Sequence, residues 1–293
     1  MNMKWKDTVV TTYIILVSIL LCFIVLIAQS AEAKREIQKI IFGESFQTKL
    51  YDDGTLIIDE SSLDAKQNKL VHGTILKIYP SFHDSPEKYI LSKNEDSLWN
   101  KEIEQIKKVY IGSVIYPQSC AKWFFGCNYL EYCNVEKLDT RNVVSMRYMF
   151  CNAGSLSNTF VIEGMNKWDV GCVKEMNWMF RAAGFNSKTF DLGDLSTWNV
   201  SNVKDMSYMF DSAGKYADKW NIGEISNWNV SNTNSFERMF GYAAENTTNW
   251  NMGDLYSWNV EGKNVDNMFL NEKTPIGYKF VPKYIKDSYV ASK

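Results

Sequence analysis

The chain has 293 residues, 32 Lys+Arg against 34 Asp+Glu, and two histidines. At 45% hydrophobic and 23% charged residues it is too apolar for a disordered protein and long enough for one large or two small domains. A net charge of −2 excludes a strongly basic nucleic-acid binder, and five prolines with sixteen glycines exclude collagen-like or proline-rich character.

After a tail of residues 1–7, no charge occurs between Asp7 and Glu32. The uncharged stretch 8–31 is 24 residues long. As a helix rising about 1.5 Å per residue it spans ~36 Å, enough for a hydrocarbon core of ~30 Å. It is read as a single transmembrane helix with the C-terminal body outside the cytoplasm. The competing reading is a signal peptide cut after Ala31-Glu32-Ala33, which would leave a secreted protein; signal cores usually run only about 7–15 residues. Lys4 and Lys6 precede the segment while Lys34, Arg35 and Lys39 follow it, so the positive-inside count does not decide orientation. Cys22 follows Leu20-Leu21 rather than a small residue, which argues against a lipoprotein attachment site.

Residues 32–48 read as a juxtamembrane stalk of mixed charge. Residues 49–118 read as a mixed α/β, β-rich cap. Within it, 49–58 is strand, tight turn at Asp53-Gly54, and strand; 70–79 is a strand; 80–94 is a polar loop; Trp99, Ile103 and Ile106 mark a short helix; 109–115 is another strand. His72 and His83 lie here on different predicted elements and are read as unrelated surface groups rather than as a metal or acid–base pair. No Gly-x-Ser-x-Gly, His-Glu-x-x-His or phosphate-binding loop occurs. The sequence therefore assigns no catalytic, cofactor-binding or metal-binding residue and predicts no cofactor. Cys120, Cys127, Cys133, Cys151 and Cys172 are an odd set without zinc-site spacing; they are read as unpaired thiols, with one local disulfide among the first three as the alternative.

The strongest signal is a repeat over 119–270. Trp168-Asp-Val, Trp198-Asn-Val, Trp228-Asn-Val and Trp258-Asn-Val recur every 30 residues, after Leu138-Asp-Thr. Met149-Phe150, Met179-Phe180, Met209-Phe210 and Met239-Phe240 follow each at a fixed distance, and Met268-Phe269 arrives one residue early. Met206, Met209, Phe210 and Ala213 fall at i, i+3, i+4, i+7, the stripe of an amphipathic helix, and the other copies repeat it. Ser201 or Asn202 is placed to cap its start, and Gly154, Gly184 and Gly214 to end it; Ala244 departs from that rule. Phe160-Val-Ile162, Phe190-Asp-Leu192, Trp220-Asn-Ile222 and Trp250-Asn-Met252 alternate as short extended runs. Together these predict an α/β, leucine-rich-repeat-like solenoid of about five repeats. Residues 271–293, with Pro275 and Pro282, would close its far end.

Identical positions in a stack form columns. Trp168, Trp198, Trp228 and Trp258 are read as a core column, with a sugar-binding aromatic strip as the alternative. Asp169, Asn199, Asn229 and Asn259 form a polar ladder read as satisfying backbone groups at a turn or stacking side-chain amides, with ligand contact as the alternative. Asp194, Glu224 and Asp254 form an acidic column read as a solvated face, with a calcium site as the alternative. Asn199-Val-Ser, Asn229-Val-Ser and Asn246-Thr-Thr match the glycosylation acceptor pattern.

The segment Trp198-Asn-Val-Ser-Asn-Val-Lys-Asp-Met-Ser-Tyr-Met-Phe210 resembles the repeat of the BspA-like leucine-rich-repeat surface proteins, and the resemblance covers about residues 105–270. It implies an exported, non-enzymatic surface protein involved in adhesion or host contact. No C-terminal Leu-Pro-x-Thr-Gly signal occurs, so the N-terminal segment would have to anchor the chain. The expected function is a membrane-anchored, surface-displayed binding or adhesion module for a protein or glycan. The alternatives are a self-associating envelope component and, with no motif behind it, an extracellular hydrolase. Residues 160–270 carry nine Lys/Arg against fourteen Asp/Glu, which mildly favours a basic partner over nucleic acid.

Overall fold

The computed structural model describes residues 46–60, 75–82, 100–247 and 252–270, all within one compact unit, Gly43–Lys293. Eight strands form one sheet: β1 (Phe46–Tyr51), β2 (Thr55–Glu60), β3 (Ile75–Phe82), β4 (Lys108–Ile111), β5 (Tyr132–Asn134), β6 (Thr159–Glu163), β7 (Thr189–Asp191) and β8 (Lys219–Asn221), in the spatial order β3-β1-β2-β4-β5-β6-β7-β8. β1 and β2 form an antiparallel hairpin, and β3 pairs antiparallel with β1. The hairpin turn uses Gly54 in a left-handed conformation, φ 81°, and the Asp53 carboxylate accepts the Thr55 N–H at 2.8 Å.

From β2 onward every pairing is parallel. Tyr132 pairs with Val161, Phe160 with Phe190, and Phe190 with Trp220. A second column of parallel bridges runs alongside: Ser119, Ser145, Glu175, Asp205, Ser235 and Asn264, each bonded to the next. Each thirty-residue repeat is thus one coil of β structure, tied to its neighbours at two places. Ser235 pairs with Asn264 one residue short of the full step, so the last copy closes its coil with a shorter connection.

The α/β expectation is overturned. Among the described residues there is no α-helix, only short 3-10 turns at Asn100–Gln105, Met165–Lys167 and Leu255–Ser257. The stripe residues Met146, Met149, Phe150 and Ala153 are buried, but their backbone is a run of turns. The N–H groups of Met149, Cys151 and Ala153 donate to the carbonyls three residues earlier at 3.1, 3.2 and 2.9 Å. Those of Met146, Tyr148, Phe150 and Asn152 donate instead to Glu175, Asn177, Met179 and Arg181 in the next coil, at 3.0, 3.2, 2.8 and 2.8 Å. Consecutive turns place side chains three and four residues apart on one side, as a helix does, so the periodicity is shared while the hydrogen bonding is not. A helix closes its bonds within itself; this backbone spends alternate N–H groups on its neighbour. The expected transmembrane helix at 8–31 lies outside the described residues, as do His72, His83 and residues 271–293. No described helix is long and apolar enough to cross a membrane.

Aromatic columns fill the interior. The rings of Phe124, Phe150, Phe180, Phe210, Phe240 and Phe269 stack in series at 5.1, 5.6, 5.4, 5.5 and 5.5 Å. Phe160, Phe190 and Trp220 form a second column at 5.7 and 5.8 Å. Stacked pairs add about 0.5–1.5 kcal/mol each beyond the area they bury. These columns also explain the glycines. Gly214 adopts φ 52°, and a Cβ there would lie 2.7 Å from atoms of both Phe190 and Trp220. The equivalent Ala244 is held at φ 45°, a conformation that costs an L-residue about 1–3 kcal/mol.

The thiols sit in the same core. Cys127, Cys133 and Cys151 are buried, whereas Cys172 is exposed, and no disulfide links the described cysteines. Burial pushes the Cys127 and Cys133 thiols well above the ordinary range and the Cys151 thiol up to about 12.

Gly214→Ala is expected to lower stability by about 1–3 kcal/mol, while Ala244→Gly leaves it unchanged or raises it by up to about 1 kcal/mol, read from urea midpoints. In the unfolded chain the thiols titrate near pH 9, the ordinary value, while the folded thiols stay neutral. Because the folded values are raised, stability is fully present below that pH and is lost as pH climbs toward 12. Replacing Cys127, Cys133 and Cys151 together with alanine is expected to flatten that alkaline decline; an unchanged slope would locate it elsewhere.

Candidate functional site

Each tryptophan of the column Trp168, Trp198, Trp228 and Trp258 is 3–4% exposed. Successive indoles stack nearly parallel at 6.0, 6.0 and 6.3 Å. Their Nε1–H groups donate to the carbonyls of Val135, Met165, Leu195 and Ser226 in the preceding coil at 3.3, 2.9, 2.9 and 3.2 Å. An apolar residue alone could fill the volume, but only an indole also bridges two coils. Both ring faces and the polar edge are used internally, so this column offers nothing to a sugar. Met179, Phe180, Met209, Phe210, Met239 and Phe240 are likewise buried at 0% exposure.

The polar ladder has a local task. The side-chain oxygens of Asp139, Asp169, Asn199, Asn229 and Asn259 each accept the backbone N–H two residues on, at 2.9–3.3 Å. These bonds pin the turn after each Trp position. Bonds between coils come from a different column: Asn202 and Asn232 donate their side-chain amides to Gly171 O and Ser201 O at 2.7 Å. In the acidic column, Asp194 and Asp254 accept the N–H groups of Ser196 and Tyr256 at 2.9 Å, and Glu224 is exposed. No group of three or more potential metal ligands occurs among the described residues.

A cleft of about 390 Å³ lies at the first coils, lined in part by Glu136, Lys137, Asp139, Arg141, Lys167 and Asp169. Its charges answer one another. Lys167 pairs with Glu136, Lys137 donates to Gly112 O at 2.5 Å, and Arg141 grips Asp139 at 2.7 Å. Partial burial pulls the Asp139 carboxyl upward, but the Arg141 hydrogen bonds outweigh it and leave the group below the ordinary range.

A second aromatic column faces outward. Tyr148, Trp178 and Tyr208 are half-buried and stack at 5.3 and 4.5 Å, and Phe125 meets Tyr148 edge-on at 6.1 Å. All three stacked residues adopt left-handed backbone, φ 59°, 64° and 58°. Such conformations are costly for aromatic residues and persist only where the surroundings enforce them. Here the coil-to-coil bonds of the turn run do so.

Cations interleave with this column. The guanidiniums of Arg147, Arg181 and Arg238 lie 5.0, 4.8 and 5.6 Å from the rings of Tyr148, Trp178 and Tyr208. Beneath them is Asp211, its side chain 2% exposed, paired with Arg181 at 3.3 Å and Arg238 at 3.0 Å. Burial raises the Asp211 carboxyl, and the two guanidiniums pull it back only in part. Lys215 is built the same way: its ammonium lies 4.6 Å from the Tyr242 ring and 3.4 Å from buried Glu245. Tyr208 donates its hydroxyl to Glu237 at 2.5 Å, which raises the phenol.

The family model described as "Mycoplasma protein of unknown function, DUF285" matches residues 118–224 and 186–275, together more than half of the chain. The chain belongs to this family. The two DUF285 matches overlap, as a thirty-residue periodicity allows, and they take in the tryptophan column and the outward aromatic column alike. No curated protein and no solved structure matches the chain.

The repeat pattern alone does not distinguish the outward column. Its signal is present: the residue before each Met-Phe pair is Tyr148, Trp178 and Tyr208, then Arg238. A helix reading assigns that position to the flank of a buried stripe, which hides its display. Asp211→Ala removes the acceptor beneath two guanidiniums that can turn to solvent, and is expected to cost about 1–3 kcal/mol in urea denaturation. A variant as stable as the parent would show that the ion pairs add nothing to the coil.

Proposed function

We propose that this chain is a non-enzymatic, surface-displayed binding module, tethered through its apolar N-terminal stretch at 8–31, with the outward aromatic–cationic column as its contact face for a glycan or protein. The observation that carries this reading is the spacing of that column. A half-buried aromatic ring or a guanidinium recurs on successive coils, fixed in direction by the coil-to-coil bonds of the turn run. Large rigid side chains lose little entropy when they bind, and regular stacks offer long flat faces. The resemblance of the repeats to BspA-like surface proteins supports the same reading, and membership of DUF285 is compatible with it. The body lies on the far side of the membrane from the cytoplasm.

The test is protease shaving of intact cells combined with mass spectrometry of the native N-terminus. Tryptic peptides from 100–270 are expected in the supernatant without lysis, and the membrane fraction is expected to retain residues 8–31. Peptides released only after lysis would remove the surface reading. A mature chain starting after Ala33 would replace tethering with secretion.

A further inference from the structure

We infer that the outward column binds an acidic polysaccharide, recognised through its carboxylate or sulfate groups. This deepens the surface-binding reading and rests on it.

The first argument is which part of the rings is free. Tyr148, Trp178 and Tyr208 stack with interplanar angles of 27° and 19°, so neighbouring rings cover both faces of Trp178 and one face of each tyrosine, while Phe125 meets Tyr148 edge-on at 6.1 Å and the Arg238 guanidinium lies 5.6 Å from the Tyr208 ring. A neutral sugar or a nucleobase stacks on a ring face, and these faces are taken. A ring edge is the positive side of the aromatic quadrupole and favours an anion.

The second argument is the depth order of the charges. Asp211 is 2% exposed, whereas Arg181 and Arg238 above it are 37% and 29% exposed. Glu245 is 2% exposed under Lys215 at 18%. The acids are pedestals beneath the cations. They hold the guanidiniums in place and leave outward N–H donors for planar oxyanions. Arg147 is exposed beside Tyr148 and extends the row. Glu237 closes the row at one end, where it is occupied by Tyr208 and by Asn264 at 3.3 Å. On the rim, Glu175 and Asp205 accept from Ser145 Oγ and the Ser207 N–H, and Lys174 and Lys204 stand exposed next to them.

The acidic excess of residues 160–270 does not oppose this. Of the exposed acids, Asp194, Glu224 and Asp254 lie shortly before a tryptophan and Asp169 directly after one, on the other arc of each coil, while Asp266, whose carbonyl accepts the Arg238 N–H, stands with Glu237 at the end of the row. At a screening length of about 8 Å in physiological salt the two arcs act separately.

The test is calorimetric titration of the full chain, in detergent micelles, with heparin, polygalacturonate, dextran and single-stranded DNA. Saturable binding to heparin and polygalacturonate, weakened by salt and absent for dextran, is expected. Arg147→Gln with Arg181→Gln is expected to weaken it at least about tenfold. Lys188→Gln with Lys219→Gln removes the same charge at exposed lysines beside β7 and in β8, away from the column, and is expected to stay within about twofold. If the double variant folds poorly, Arg147→Gln alone, on an exposed side chain, is expected to weaken binding about threefold.

No saturable binding of either acidic polymer at low salt would overturn the inference. So would equal weakening by Lys188→Gln with Lys219→Gln, or DNA bound as tightly as heparin. Binding of dextran that ignores Arg147→Gln would remove the acidic ligand and leave the surface-binding reading standing. Failure of cell shaving would remove that reading and leave the affinities intact.

Discussion

The structure depends on one constraint: alternate backbone N–H groups of each coil must find carbonyls in the next. From Met146 to Ala153 the even-numbered amides donate across coils, while those of Met149, Cys151 and Ala153 turn back three residues and that of Arg147 turns back to Ser145 Oγ. Every buried amide needs a partner. Here half of the partners exist only if a second coil lies in register. A lone repeat could not satisfy its own backbone, and a one-residue slip would send each cross-coil bond to the wrong carbonyl.

That register turns equivalent residues into columns, and the columns repay it. Phenylalanines stack on phenylalanines and indoles on indoles, with separations that vary by only a few tenths of an ångström. The tryptophan Nε1–H adds a side-chain bond between coils. Left-handed residues that would be costly alone, such as Trp178 and Tyr208, recur because the same bonding recurs. Strain in this protein is distributed and periodic, recurring at Tyr148, Trp178 and Tyr208 and again four residues on at Asn152, Ala182 and Ser212.

The thirty-residue period was legible from sequence because tryptophan and Met-Phe pairs are rare enough to mark it. The turn at Asp53-Gly54 was legible from its dipeptide. Helix and turn run were indistinguishable, because Met206, Met209, Phe210 and Ala213 bury the same face in either backbone, and only the destination of the amide protons separates them. The role of Asn199 and its equivalents was readable as turn chemistry from one residue and its position. The outward column was not, since exposure at Tyr148, Trp178 and Tyr208 depends on where the turns point. The pedestal role of Asp211 depends on two arginines from different coils, Arg181 and Arg238, which no local pattern connects.

The two parallel ladders also set how such a chain can change its length. A duplicated or deleted thirty-residue module restores every column, because each coil sees only its immediate neighbours. The one-residue deficit between Ser235 and Asn264 shows that a smaller change is absorbed in a connection while the bridges hold. Recombination in whole modules would therefore extend or trim the solvent-facing track without redesigning it. Valency toward an extended polymer would then scale with module number, and avidity would be adjusted by counting coils rather than by altering any contact.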